Sequence, residues 1–169
     1  MNLQTSYQMY PKRAHAGLVS DTSPLLFDGC TAASTAIIPG TVAIITANDR
    51  YTKSVAAATT PANVTSINGG IVGFSHALCP TTEAGRSQYN IGQAVNVMRE
   101  GRIWAITNLT AAPTFGTAVS VVANTGGTAG IVTSGGTAID GWVFTGEFEA
   151  LEDGTYLAEV QLRMQTAAA

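Results

Sequence analysis

G-W-V-F-T-G-E-F-E-A-L-E-D-G-T-Y-L-A-E-V-Q-L-R-M, residues 141–164, is the stretch that decides the fold class. Apolar and polar residues alternate on both sides of Glu152-Asp153-Gly154, so the segment reads as two strands around a tight turn. In the second strand Tyr156, Ala158, Val160, Leu162 and Met164 share one face, and Leu157, Glu159, Gln161 and Arg163 share the other. That pattern predicts a strand buried on one side only.

Working outward, the same period of two recurs and helical periodicity is hard to find. A-V-N-V-M-R-E-G-R-I-W-A-I-T-N (94–108) reads as a hairpin: V-N-V-M-R and R-I-W-A-I-T are its strands, and Arg99-Glu100-Gly101-Arg102 is its turn, with Gly101 supplying positive φ. Thr114-Phe115-Gly116 precedes another strand, A-V-S-V-V-A-N, which turns at Asn124-Thr125-Gly126-Gly127 and pairs with G-I-V-T-S-G-G (130–136). In the first half, strands are expected in A-G-L-V-S-D, in P-L-L-F-D-G, in Ser34–Ile38 before Pro39-Gly40, in T-V-A-I-I-T (41–46) and in G-G-I-V-G-F-S-H-A-L (69–78). Residues 54–66 contain Thr59-Thr60-Pro61, which breaks a helix, so they are read as extended structure or loop. Residues 1–16 are polar, carry Tyr7 and Tyr10, and are interrupted by Pro11. They read as an extended arm that either stays disordered or orders on a neighbour. The expectation is an all-β chain: an antiparallel β-sandwich or jelly-roll-like barrel over 17–169, with an extended N-terminal arm over 1–16.

Composition narrows the function. Only 11% of the residues are charged, against roughly 25% in an ordinary soluble domain. Small, weakly polar side chains take their place, and such a surface packs against other proteins with little charge to desolvate. The eight basic residues are scattered and the net charge is −3, which argues against a nucleic-acid partner. The charge is uneven: from Asp140 onward six acids face Arg163 alone, giving −5, while the preceding 139 residues carry seven bases and five acids, giving +2. A solvated acidic edge is the plain reading, and complementarity between neighbouring copies the sharper one. No run approaches the roughly 20 apolar residues of a membrane span, and the N-terminus lacks the layout of a signal peptide. Cys30 and Cys79 lie far apart without a CxxC spacing, and both are expected to be reduced and buried.

Catalytic constellations are missing from the pattern. His15 and His76 cannot build a metal site by themselves, and Cys79 lies three residues past His76, on the opposite face of an extended strand. No GxSxG elbow is present; G-F-S-H-A at 73–77 lacks the second glycine. Glu147 and Glu149 share a strand face and superficially resemble a glycosidase pair, but their surroundings read as edge and turn. N-T-G-G-T-A-G and S-G-G-T-A-I-D-G are followed by no helix, so they are turns rather than phosphate cradles. Trp104 and Trp142 sit in alternating strands as core or interface anchors. The expectation is no catalytic residue, no cofactor, no metal and no small-molecule substrate.

Several motifs point the same way when taken together: Y-x-x-x-P-K-R-A-H-A-G-L-V-S-D (Tyr7 to Asp21), V-G-F-S-H (72–76), V-N-V-M-R-E-G-R-I-W-A (95–105), P-T-F-G-T-A-V (113–119) and G-x-x-x-A-E-V-Q-L (154–162). In order and spacing the chain resembles the structural cement proteins of tailed bacteriophages. The resemblance implies a β-sandwich or jelly-roll-like body that oligomerises and clamps adjacent capsomers on the outside of the head. It implies the major capsid protein as partner, residence in the virion after assembly in the host cytoplasm, and no nucleic-acid or membrane partner. On that reading Tyr7, Met9 and Tyr10, flanked by Lys12 and Arg13, are candidate capsid-interface residues. A dimer is the favoured oligomer on frequency, with a trimer as the other option. A receptor- or glycan-binding module of a fibre or spike, with Trp104 or Trp142 exposed for stacking, is the alternative.

Overall fold

The computed structural model describes residues 14–21, 24–32, 36–47, 53–75, 87–122 and 129–164. Its strands are β1 (Leu26–Ala32), β2 (Val42–Ala47), β3 (Lys53–Ala57), β4 (Gly69–Val72), β5 (Ala94–Thr107), β6 (Ala118–Val121), β7 (Val132–Thr133), β8 (Ala138–Ala150) and β9 (Tyr156–Leu162). The only helical turn among the described residues is a 3-10 turn at Pro61–Asn63, beginning at the proline expected to stop a helix. The chain is all-β.

The strands follow the order β1-β3-β2-β4-β5-β7-β6-β8-β9, with additional pairings of β5 to β1 and to β9. These pairings close two circuits that share β5. The first ring contains β1, β3, β2, β4 and the start of β5; the second contains the end of β5, β7, β6, β8 and β9. Most pairings are antiparallel, but β1–β3 and β5–β7 are parallel. Closure removes most of the open edge that a small sheet would otherwise present to other chains.

The segment expected to be a hairpin, residues 94–108, is instead one strand. β5 runs for 14 residues, about 46 Å at roughly 3.3 Å per residue. Its first part pairs with β1, from Thr31↔Ala94 to Leu26↔Glu100, and its second with β9, from Gly101↔Leu162 to Thr107↔Tyr156. Arg99 through Arg102 hold a bulge, not a turn. Leu26 faces Glu100 while Phe27 faces Met98, so Arg99 is the extra residue, and Gly101 does adopt positive φ (125°). An inserted residue flips every later side chain to the other face. Hence Val95 and Val97 join the first core with Cys30, Val55 and Val72, whereas Ile103 and Ala105 join the second with Val119, Trp142 and Phe144. One strand thereby serves two cores, and each fully buried aliphatic contributes about 1.5–3 kcal/mol.

The hairpin over 141–164 forms as β8 and β9, paired from Val143↔Gln161 to Ala150↔Tyr156. β9, however, is buried on both faces. Leu157 is fully buried beside Trp104 and Ala14, and Glu159 is 7% exposed, accepting a hydrogen bond from Thr145 Oγ1. The chain entering the body covers the face expected to meet water. Around Ala14 to Ser20 that entering segment makes one bridge, Val19↔Ile103, rather than a full strand. Gly17 N–H donates to Trp104 O (2.8 Å) and Trp104 N–H to Leu18 O (3.0 Å), tying the segment to β5. β4 ends at Val72, short of the expected 69–78 strand: Gly73 N–H still donates to Asn96 O on β5, but Phe74 N–H leaves that strand and donates to Gly17 O of the entering segment. β6 and β7 pair as anticipated, Ser120 with Thr133 and Val121 with Val132. The turn expected at 124–127 lies outside the described residues.

Candidate functional site

The ionisable groups around β1 are locked into structure. Asp28 on β1 accepts from Lys53 Nζ at 2.5 Å and from Arg99 Nη1 at 2.8 Å. Arg99 is 8% exposed and also donates to Ser66 O and Ile67 O. Burial by itself would push the Asp28 carboxyl up, but hydrogen bonds from Lys53 and Arg99 and their positive charges outweigh it and hold it below the ordinary carboxylate range. Burial first, and then the neighbouring Asp28 carboxylate, push the Cys30 thiol up, which suppresses the thiolate a nucleophile needs. Cys30 is free and buried; Cys79 and His76 lie outside the described residues.

His15 packs its ring on Phe74 at 4.5 Å between centroids. It lines an open groove of about 320 Å³ with Pro39, Ile106, Leu151, Asp153 and Tyr156. Among the described residues no three His, Cys, Asp or Glu side chains gather as metal ligands, and no helix is long and apolar enough to cross a membrane. Glu147 is exposed and Glu149 half-buried on the stretch of β8 that pairs only with β9.

The candidate interface residues divide cleanly. Tyr7, Met9, Tyr10, Lys12 and Arg13 lie outside the described residues. Trp104 and Trp142 are 6% and 1% exposed, so in this fold neither indole offers a face for stacking a sugar. Trp142 fills the second core, and its indole N–H meets no acceptor among the described residues. The outward-facing apolar groups are others. Phe115 is 73% exposed on the turn before β6, Ile91 63% on the turn before β5, and Ile67 53% on the turn before β4.

Phe115 stands on a rigid base. Thr117 N–H donates to Thr114 O (3.1 Å), Gly116 N–H to Phe144 O (2.8 Å), and Phe144 N–H to Thr117 O (2.9 Å). The turn rests on β8 at its bulge, where a Cβ on Gly146 would lie 3.8 Å from Phe115 Cβ. In the sequence Phe115 stands in the lead-in to a strand and in the motif P-T-F-G-T-A-V (113–119), with no interface role attached. The Pro-Thr-Phe-Gly pattern was the available signal, since a turn holds its central side chains away from the core.

Charge maps onto the two rings. Between Arg102 and Arg163 the chain has no Lys, Arg or His, yet holds Asp140, Glu147, Glu149, Glu152, Asp153 and Glu159. That span comprises the second ring. The bases of the described body sit in the first ring and at the border: Lys53, Arg99, Arg102 and Arg163.

A closed all-β body with buried tryptophans, locked ion pairs and apolar side chains held out on pinned turns defines a protein built for contact. The family comparison agrees. The model of the family described as "Structural cement protein (E217 gp24/Pam3 gp6)", a phage cement family, matches residues 3–163, and the chain belongs to that family. Among solved structures, a chain from "The capsid of Myoviridae Phage XM1" shares the fold with a TM-score of 0.67 at 18% identity, covering 98% of this chain and 100% of that one. No curated protein matches.

Proposed function

We propose that the chain binds the outer surface of a phage head as a cement or decoration subunit and stabilises contacts between capsomers. The observation that carries this reading is the family match over residues 3–163; the fold likeness to a chain of a phage capsid supports it. The partner is the major capsid protein, and the chain works as a homo-oligomer, a dimer before a trimer. It resides in the virion after assembly in the host cytoplasm, and performs no catalysis. The physics suits the role. A DNA-filled head needs many modest contacts repeated by symmetry, and repetition converts them into strong reinforcement. A chain with only 11% charged residues has little charge to desolvate at each contact.

The test is sedimentation of purified protein with purified heads. Stoichiometric pelleting with mature, expanded heads, and weaker pelleting with unexpanded shells, is the expected result; no pelleting with either would overturn the proposal. In the same assay, removing residues 1–13 is expected to lower head occupancy while the body stays folded. The proposed arm carries Tyr7, Met9 and Tyr10 as apolar anchors and Lys12 and Arg13 as charge for acidic patches of the shell. Full occupancy after the truncation would remove the arm from the interface.

A further inference from the structure

We infer that the second ring is the end that docks, with Phe115 as its anchor, and that its partner presents an apolar pocket rimmed by Lys or Arg side chains. The inference rests on the cement reading and names the contact within it. Three features converge on one place. An aromatic side chain 73% exposed is unusual for a residue held this firmly. Three backbone hydrogen bonds fix the turn that carries it, so little conformational freedom is left to lose on binding. The strand beneath carries Glu147 immediately after the bulge at Gly146, and Asp140 on the other side of Trp142; both are exposed.

The sign of the surrounding field selects the partner. With five acids at least partly exposed (Asp140, Glu147, Glu149, Glu152 and Asp153) and no cation between Arg102 and Arg163, a partner with an acidic rim would be repelled, whereas a basic rim would be steered in. The apolar pocket follows from Phe115 itself, since a preordered ring in contact with water gains most by filling a dry cavity. A second copy of the chain fits less well, because three of the four described bases are already engaged, Arg99 and Lys53 with Asp28 and Arg102 with Asp21 at 3.3 Å, which leaves Arg163 alone to face an acidic partner. On the cement reading, the partner surface is the capsid shell.

The experiment compares wild type, Phe115→Ala, Phe115→Leu and Glu147→Gln for binding to mature heads at low and high salt, alongside thermal unfolding and solution mass of each. Phe115→Ala is expected to weaken binding by about tenfold or more, the scale of a lost central anchor, with Tm unchanged. Phe115→Leu should recover most of the loss, and Glu147→Gln should flatten the salt dependence. Equal binding by wild type and Phe115→Ala would overturn the inference and leave the cement reading standing. Unchanged head binding with an altered solution mass for Phe115→Ala would assign the contact to a second copy, and also overturn it. Failure of the wild type itself to bind heads would overturn both.

Discussion

Arg99→Ala is expected to destabilise the protein by about 3 kcal/mol, the lower end of the range for breaking a buried ion pair. Arg99 sits at the bulge of β5, where the chain passes from one ring to the other. Its guanidinium ties β1 through Asp28 (2.8 Å), the turn before β4 through Ser66 O and Ile67 O, and the chain after β9 through Met164 Sδ at 3.5 Å. Removing it strips several buried carbonyl and carboxylate groups of a donor at once. Asp28 keeps Lys53, which limits the cost. By contrast Lys53→Ala should cost under about 1 kcal/mol, since Lys53 is 43% exposed despite its 2.5 Å contact. Urea unfolding of the two variants measures the difference; equal costs would show that burial does not set the value of these pairs.

The same cluster sets an acid limit. Asp28 has its folded-state pKa below the unfolded value, so it binds fewer protons folded than unfolded. Its contribution is therefore complete above the unfolded pKa of about 3.9 and is lost as pH falls through the folded pKa. Arg99→Ala should make this part of the pH dependence shallower, because a main cause of the depression is gone. An unchanged slope between pH 5 and 2 (a window spanning about 3.9) would assign the acid sensitivity to other carboxylates.

Much of the fold was legible because alternation is local. The hairpin at 152–154, the β6–β7 pair and the strands at 41–46 and 24–29 needed only their own residues. The long strand was not. A tight turn and a bulge both place a positive-φ glycine at a break in the apolar pattern, and Arg99-Glu100-Gly101-Arg102 satisfies either. The decision belongs to distant partners: β1 pairs up to Glu100 and β9 resumes at Gly101. Ring closure rests on equally distant pairings, one of them the single pair Thr107↔Val132. At the candidate site the charge asymmetry could be read from composition, but its confinement to one ring could not. Both tryptophans are buried. Phe115 escaped notice because exposure of one aromatic on a turn depends on what packs beneath it, here Gly146.

Gly130→Ala is expected to exceed every other glycine substitution with a comparable backbone angle. Gly130 (φ 83°) and Gly92 (φ 83°) occupy the same left-handed region, so alanine pays the same conformational cost of about 1–2 kcal/mol at each. Their surroundings differ completely. Around Gly92 nothing lies within 4 Å of an added Cβ, whereas at Gly130 it would meet Val42 O at 2.3 Å and Val42 N at 2.8 Å. Those atoms are backbone and cannot rotate aside. They are also engaged: Val42 N–H donates to Gly130 O (2.8 Å) and Val42 O accepts from Ala58 N–H (3.1 Å). The turn before β7 would have to lift off β2, opening a contact between the two rings beside the buried Val42. Subtracting the Gly92→Ala change from the Gly130→Ala change removes the shared backbone term and leaves the cost of close approach, expected to be a further 2 kcal/mol or so, the scale of a lost buried hydrogen bond with repacking. If the two variants unfold at the same urea concentration, the rings are not held together at this point.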